Sequence, residues 1–401
     1  MRKPELDQIL TVILASQPEV SDVLFTVGRP PQVEAYGELK PVLLDPPIHS
    51  LTPFQVETIA FNIIGDNVWQ LEDLIRHGSC DGSYALGDSA RFRVNIFSQR
   101  GNYSIVCRQL SSRIPTLEHL KLPEPLLEIP REKTGLVLVT GATGSGKSTT
   151  LAAILNQINR TKAVHIVTLE DPVEYVHQHD KSTFNQRELG IDFDSYVNGL
   201  RAALRQAPKV ILVGEMRDRD TVKIALSAAE TGHLVLSTLH TINAGETINR
   251  ILGMFEPEEQ EQVRVRLADS LRWVVSQRLA PKVGGGRQAL IEIMGANLRT
   301  KEAIRLGESE GKTFYEIIEA SHTFGWRTFD QACLEAYENG QITEENALLF
   351  CTKRSVVARG LDHSKKARGE SDPTSGSLRM KTSGGPGSFG AMEAVPLLKI
   401  K

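Results

Sequence analysis

The chain is 401 residues long, carries 46 Lys and Arg against 49 Asp and Glu, and has a formal net charge of -3. That length holds two or three domains of ordinary size, and the near balance of charge gives no strong pull toward nucleic acid or acidic lipid. No apolar stretch approaches the ~20 residues of a membrane helix, and the scattered Cys80, Cys107, Cys333 and Cys351 form no C-x-x-C pair, which points away from a disulfide framework or zinc site and toward reduced thiols in a cytosolic protein.

The segment Ile9-Leu-Thr-Val-Ile-Leu-Ala15 follows Arg2 and Lys3, but Glu5 and Asp7 spoil a positive leader and the apolar run is short. An amphipathic first helix is therefore expected rather than a signal peptide. Strands are expected at Ser21 to Thr26 and Gln32 to Tyr36, separated by the turn residues Gly28-Arg-Pro-Pro31, with a further turn at Gly37. Thr52-Pro53 opens a helix by its N-cap and first-turn preferences. Two more strands, Arg91 to Phe97 and Tyr103 to Arg108, complete a small α+β domain over residues 1–112.

Pro115, Pro123, Pro125 and Pro130 mark residues 113–134 as an extended linker, with a short helix around Leu117 to Leu120. From Gly135 strand-like runs (Gly135 to Thr140, Val164 to Leu169, Val210 to Val213, Leu234 to Ser237) alternate with helix-patterned segments, which predicts a parallel α/β sheet. From about residue 257 to 358 the pattern reads as helical, so one domain with C-terminal helices is expected over residues 135–360. Residues 361–401 are rich in Ser, Gly, Lys and Pro and predict a disordered tail.

The most specific signal is the run from Gly141 to Ser148, Gly-Ala-Thr-Gly-Ser-Gly-Lys-Ser. It sits between the apolar strand Gly135 to Thr140 and a helix pattern, Leu151, Ile154, Leu155 and Ile158, at i, i+3, i+4 and i+7. A strand, a glycine turn and a helix start aim several backbone N–H groups at one anion. Gly141, Thr143, Gly144, Ser145, Gly146, Lys147, Ser148 and Thr149 are thus the candidate nucleotide contacts. Lys147 would reach the β- and γ-phosphates of ATP, and the Ser148 hydroxyl would bind Mg²⁺.

Binding is not hydrolysis, and three clusters at strand ends of the same sheet supply candidates for the second. The carboxyl ends of an open α/β sheet form its ligand crevice. Glu170-Asp171-Pro172-Val173-Glu174 follows one strand, and its carboxylates suit Mg²⁺-bound waters or an attacking water. Val210-Ile-Leu-Val-Gly-Glu215 ends in a carboxylate that suits water positioning, with Gly214 where an Asp is usual. Thr231-Gly-His233 and Ser237-Thr-Leu-His240-Thr241 place a histidine at each end of a strand. The pair His177 and His179 lacks the third ligand a metal site needs.

Together these motifs resemble the PilT/PilU branch of the type II and type IV secretion ATPases. The order is the family's: phosphate loop (Walker A), Glu-Asp-Pro-Val-Glu (Asp box), Val-Gly-Glu-Met-Arg-Asp (Walker B), then Thr-Gly-His with Thr-Leu-His-Thr (His box). The resemblance covers residues 5 to 358. It implies a RecA-like P-loop ATPase domain preceded by a smaller PAS-like α+β domain. It also implies a homo-hexameric, Mg²⁺-dependent ATPase powering type IV pilus retraction. Such a motor would be cytoplasmic, peripheral to the inner membrane through a pilus platform protein and without direct membrane insertion, with a second retraction ATPase as a further partner. Carried over by position, Glu174 matches the Asp-box carboxylate, Glu215 the catalytic Walker B glutamate, and His233 and His240 the His box. Arg93 in Ala90-Arg-Phe-Arg-Val-Asn95 and Arg108 on the next strand match arginines expected to meet the phosphoryl charge, a contribution on the order of 10³ to 10⁵ in rate. A surface ladder of charges is the plain alternative, chiefly for Arg91.

Gln99-Arg100-Gly101 and Thr328-Phe-Asp-Gln331 look more like PilU than PilT. Ala303-Ile-Arg305 resembles a PilT retraction motif, whereas Leu306-Gly-Glu-Ser-Glu310 and Gln206-Ala-Pro-Lys209 depart from the PilT pattern. The resemblance therefore allows a PilU-like accessory as well as an independent motor. The alternatives from other classes are a RecA-like nucleic-acid motor, which would need a basic channel or stacking aromatics, and a non-hydrolysing adaptor of a secretion ATPase.

Overall fold

Two sheets, each with its own apolar core, organise the chain. The computed structural model describes residues 3–87, 89–110 and 113–369. The first sheet contains β1 (Val20–Thr26), β2 (Gln32–Ala35), β3 (Glu38–Pro41), β4 (Ser79–Leu86), β5 (Ala90–Gln99) and β6 (Asn102–Leu110) in the order β3-β2-β1-β6-β5-β4. Every neighbouring pair is antiparallel. Such a sheet buries one face, so residues along a strand alternate. In β5, Ala90, Phe92, Val94 and Ile96 are buried, while Arg91 and Arg93 stand on the opposite face. The helices Lys3–Ala15, Pro53–Ile64 and Val68–His77 complete the core, Leu6, Leu10 and Ile13 of the first packing with Phe25, Phe92 and Ile105. Thr52 caps the second helix: its hydroxyl accepts from the Gln55 amide at 3.3 Å while Gln55 Oε1 accepts from the Thr52 amide at 2.8 Å.

The second sheet contains β7 (Gly135–Thr140), β8 (His165–Glu170), β9 (Thr183–Glu188), β10 (Val210–Val213), β11 (Leu234–Leu239), β12 (Leu271–Pro281) and β13 (Arg287–Gly295). Its order is β13-β12-β7-β11-β10-β8-β9, parallel throughout except for the β12–β13 hairpin. Every residue of β7, β10 and β11 is buried, which is why these strands read as continuous apolar runs. The register pairs Leu239 with Thr140, Val213 with Ser237 and Val213 with Leu169, so the carboxyl ends of β7, β8, β10 and β11 share one edge.

Three departures from the sequence pattern bear on the architecture. Residues 271–295 form the β12–β13 hairpin rather than helices. Leu271, Val274 and Val275 have the i, i+3, i+4 spacing of a helix, but β12 lies between β7 and β13 and is buried on both faces, which erases a strand's alternation. Gly284, Gly285 and Gly286 turn the hairpin at φ 84°, 102° and 80°, a region that disfavours side chains. Second, the final helix runs Arg354–Ala367, with Val357 and Leu361 buried against Phe329 and Cys333, so the expected disordered tail does not begin at 361. The Ser/Gly-rich residues 370–401 lie outside the described residues. Third, the proline-rich linker is packed: Leu117, Leu126 and Ile129 are buried in the core of the second sheet, with short 3₁₀ turns at Glu124–Leu127 and Ile129–Arg131.

Phe92 is fully buried at the centre of the first sheet's core. Phe92→Ala is expected to destabilise that core by about 3–5 kcal/mol, read as a lower denaturant midpoint.

Candidate functional site

The backbone sets the phosphate loop. Gly141 leaves β7 at φ 141°, and a Cβ built on it would lie 2.5 Å from the Gln277 carbonyl oxygen and 2.5 Å from Ser145 Oγ. Gly146, at φ 91°, is the N-cap of the 15-residue helix Lys147–Thr161, whose first N–H groups have no partner within the helix. Lys147 folds back on the loop, its Nζ donating to the carbonyls of Gly141 at 2.9 Å and Ala142 at 3.0 Å. Burial pulls its pKa down, against the attraction of Glu174 and Glu215. The helix is anchored by Gln277 of β12, which donates to the Thr150 hydroxyl at 2.8 Å, and Thr149 meets the Tyr175 hydroxyl at 3.1 Å. The buried Ser145 Oγ has no partner among the described residues, so a polar atom of the loop faces inward unsatisfied.

The neighbouring strand ends converge on this loop. After β8, Glu170 accepts from the Thr168 hydroxyl at 2.6 Å and from Gln186 at 3.2 Å, yet burial still pushes its carboxyl up to about 7. Burial also raises Asp171, with the Arg93 guanidinium opposing the shift. At the end of β10, Glu215 is 12% exposed, lies 2.5 Å from Arg217 Nη2 and 3.9 Å from His240 Nε2. Gly214 is tight because a Cβ there would meet the Tyr196 hydroxyl at 2.9 Å and the Leu169 carbonyl at 3.1 Å. An aspartate in that position would require the Tyr196 hydroxyl and the Leu169 carbonyl to give way. Thr238 of β11 donates to the Gly214 carbonyl at 2.6 Å, fixing the two strand ends together. His240 follows, its pKa lowered by burial and by Lys147, which keeps the ring neutral near pH 7.

A cleft of about 1210 Å³ gathers most of the residues singled out in the sequence. The loop from Thr143 to Thr149 forms one wall, and Glu174, Glu215, His240 and Arg93 line the others. His233 is not among them. It precedes β11, at the amino end of a strand whose carboxyl end leads to His240, and its Nδ1 lies 3.0 Å from the Ala228 carbonyl. The expectation that both histidines point at the nucleotide is corrected for His233 within one chain. Arg108 stands across from Arg93 in the β5–β6 register but one strand farther away, and its Nε donates to Asp22 Oδ1 at 2.9 Å. It does not line the cleft.

Arg91 corrects the surface-ladder reading. Its Nη1 donates to the Val173 carbonyl at 2.8 Å and its Nη2 to Glu188 Oε2 at 3.3 Å, across the two sheets. Sequence reasoning assigned no role to Arg217, Tyr196 or Gln277. Arg217 follows Glu215 by two residues, a usable signal. Tyr196 and Gln277 reach the site only through the packing of the helix Tyr196–Ala203 and of β12, which local pattern does not carry.

Residues 84–343 match the Type II/IV secretion system protein family. The type IV pilus retractation ATPase PilT of Pseudomonas aeruginosa is 42% identical over 327 residues, covering 82% of this chain and 93% of that protein. The type IV pilus ATPase PilU of the same organism is 40% identical over 329 residues, covering 82% of this chain and 84% of that protein. Among solved structures, the pilus retraction motor PilT with bound ADP superposes with a TM-score of 0.79 at 41% identity, over 88% of this chain and 98% of that one. That fold match carries the reading of an N-terminal antiparallel domain followed by a P-loop ATPase domain. With the family match spanning more than half of the chain, and these relatives aligned across most of it, the chain belongs to the Type II/IV secretion system protein family.

Proposed function

We propose that this chain is an ATP-hydrolysing motor of type IV pilus retraction, acting on its own or as a PilU-like accessory. The observation that carries the reading is Glu215, a carboxylate held at 12% exposure between Arg217 and His240 in the same cleft as the phosphate loop. The retraction role itself is carried by the PilT and PilU relatives. The nucleic-acid motor and the non-hydrolysing adaptor match neither relative's named activity.

The chemistry follows from the placements. The loop amides and Lys147 would take the phosphates of ATP, with Lys147 exchanging the Gly141 and Ala142 carbonyls for phosphate oxygens. Glu215 would orient the attacking water and take its proton. His240 is held neutral beside it and can accept or pass a hydrogen bond. Arg93 enters from the first sheet, so its charge reaches the phosphoryl group only while the two sheets stand together. The donor set suits Mg²⁺: the hydroxyl of Ser148 starts the helix, and Glu174 faces the cleft to hold metal-bound water. When bound, Mg²⁺ would offset charge on the phosphate oxygens.

Further features of the reading rest on the resemblance: a homo-hexamer, and contact with an inner-membrane platform protein. Among the described residues no helix is long and apolar enough to cross a membrane, which fits attachment through such a partner.

Glu215→Ala is expected to lower kcat by about 10² to 10⁴ while leaving ATP binding near wild type. Phosphate release and fluorescent-nucleotide titration measure the two, and wild-type turnover in the variant would remove Glu215 from the mechanism. Arg93→Ala is expected to lose about 10³ in rate in the assembled protein, and near-normal turnover there would count against an arginine contributed by the first sheet. Deleting the gene should abolish or slow twitching and pilus retraction. Repeating the deletion with and without another retraction ATPase separates the independent motor from the accessory.

A further inference from the structure

We propose that Arg91 is a positioning residue for this site, clamping β5 of the first sheet onto the turn that carries Asp171 and Glu174. The proposal rests on the ATPase reading of the cleft.

The contacts form one closed unit. Arg91 Nη1 donates to the Val173 carbonyl at 2.8 Å, and Nη2 donates to Glu188 Oε2 at 3.3 Å and to the Ser83 hydroxyl at 3.3 Å. The same Glu188 oxygen accepts from the Val173 amide at 3.1 Å. A single ion pair therefore engages both backbone polar groups of Val173, which lies between Asp171 and Glu174. The Glu188 side chain is buried, 5% exposed, and that of Arg91 is partly covered, 23% exposed. Removing either partner leaves the other charge poorly compensated. A second tie lies close by: Asn67 Nδ2 donates to the Gly190 carbonyl at 3.0 Å, two residues beyond Glu188.

The strand transmits what the clamp holds. Arg91 and Arg93 share a face of β5 and stand roughly 6.8 Å apart along it, because each residue of a strand advances about 3.4 Å. With Phe92 buried between them, β5 does not rotate to present a different face. Fixing Arg91 on Val173 thus sets where Arg93 enters the cleft. Arg93 reaches far enough to oppose the burial-driven rise of the Asp171 pKa. Arg91 acts through Val173 and Arg93, and it does not itself line the cleft.

The test uses the full chain and the variants Arg91→Gln, Arg91→Lys, Glu188→Gln and the double Arg91→Gln/Glu188→Gln. Arg91→Gln is expected to lower kcat about tenfold or more with KM for ATP within about twofold of wild type, the signature of a displaced catalytic group rather than lost binding. Arg91→Lys should recover part of the rate, since an ammonium pairs with Glu188 but does not fork onto both acceptors. The double variant should lose no more than the worse single, because both changes break the same tie. Hydrogen exchange across residues 171–175 should quicken in Arg91→Gln while the helix Lys147–Thr161 stays protected. A kcat for Arg91→Gln within about twofold of wild type, losses that multiply in the double variant, or unchanged exchange at 171–175 would overturn the proposal. Wild-type turnover in the same assay reports on the ATPase reading, and the exchange measurement reports on the clamp whether or not turnover is seen.

Discussion

The parallel registration of β7, β11, β10 and β8 is the constraint from which the rest of the site follows. These strands are buried on both faces, so each backbone amide and carbonyl must be paired within the sheet. That requirement fixes the register, and the register brings four chain reversals to one edge. Each reversal carries one component: the phosphate loop after β7, the Glu170 to Glu174 turn after β8, Glu215 after β10 and His240 after β11. Gly141 at the start of the loop and His240 stand 99 positions apart in sequence (141 to 240), yet the sheet makes their spacing independent of the helices and loops that connect them.

Electrostatics then refine what topology assembles. Carboxylates crowd the cleft, and burial raises Glu170 and Asp171 while it lowers Lys147 and His240. In every case desolvation acts against the charged form; opposite charges pull the other way at Asp171, Lys147 and His240, and hydrogen bonds from Thr168 and Gln186 do so at Glu170. Two arginines temper the negative charge from different directions. Arg217 comes from the loop that follows Glu215, and Arg93 from the other sheet. The first travels with Glu215, whereas the second depends on how the two sheets sit. On the proposed ATPase reading, a site built this way would separate nucleotide capture, whose loop residues all lie on the second sheet, from full charge compensation, which would need both.

Much of this was legible in the residues. Gly135 to Thr140 and Val210 to Val213 are strands to the residue, because a strand buried on both faces writes itself as an unbroken apolar run. Thr52-Pro53 was legible through cap chemistry, which is local. The hairpin β12–β13 was not, since central burial replaced alternation with a helix-like spacing, and with it Gln277 was missed as a support of the loop. β9 was missed for the opposite reason: its sequence, Thr-Phe-Asn-Gln-Arg-Glu, is polar and sits at the sheet edge. His233 illustrates a further limit. It directly precedes the strand that the sequence itself marks, so its place at the amino end, away from the crevice, was legible, and it was the shared motif that grouped it with His240. Arg91 and Arg93 share a motif and a face, yet one bonds a neighbouring backbone and the other lines the cleft, a difference set by the relief of the opposing domain.

The lysine of the phosphate loop is held by the loop's own carbonyls, those of Gly141 and Ala142. Capturing a phosphate is accordingly an exchange of internal acceptors for external ones, with the two carbonyls handed over to solvent or ligand. Such an internal competitor weakens the grip on every phosphate alike, including those of spent nucleotide.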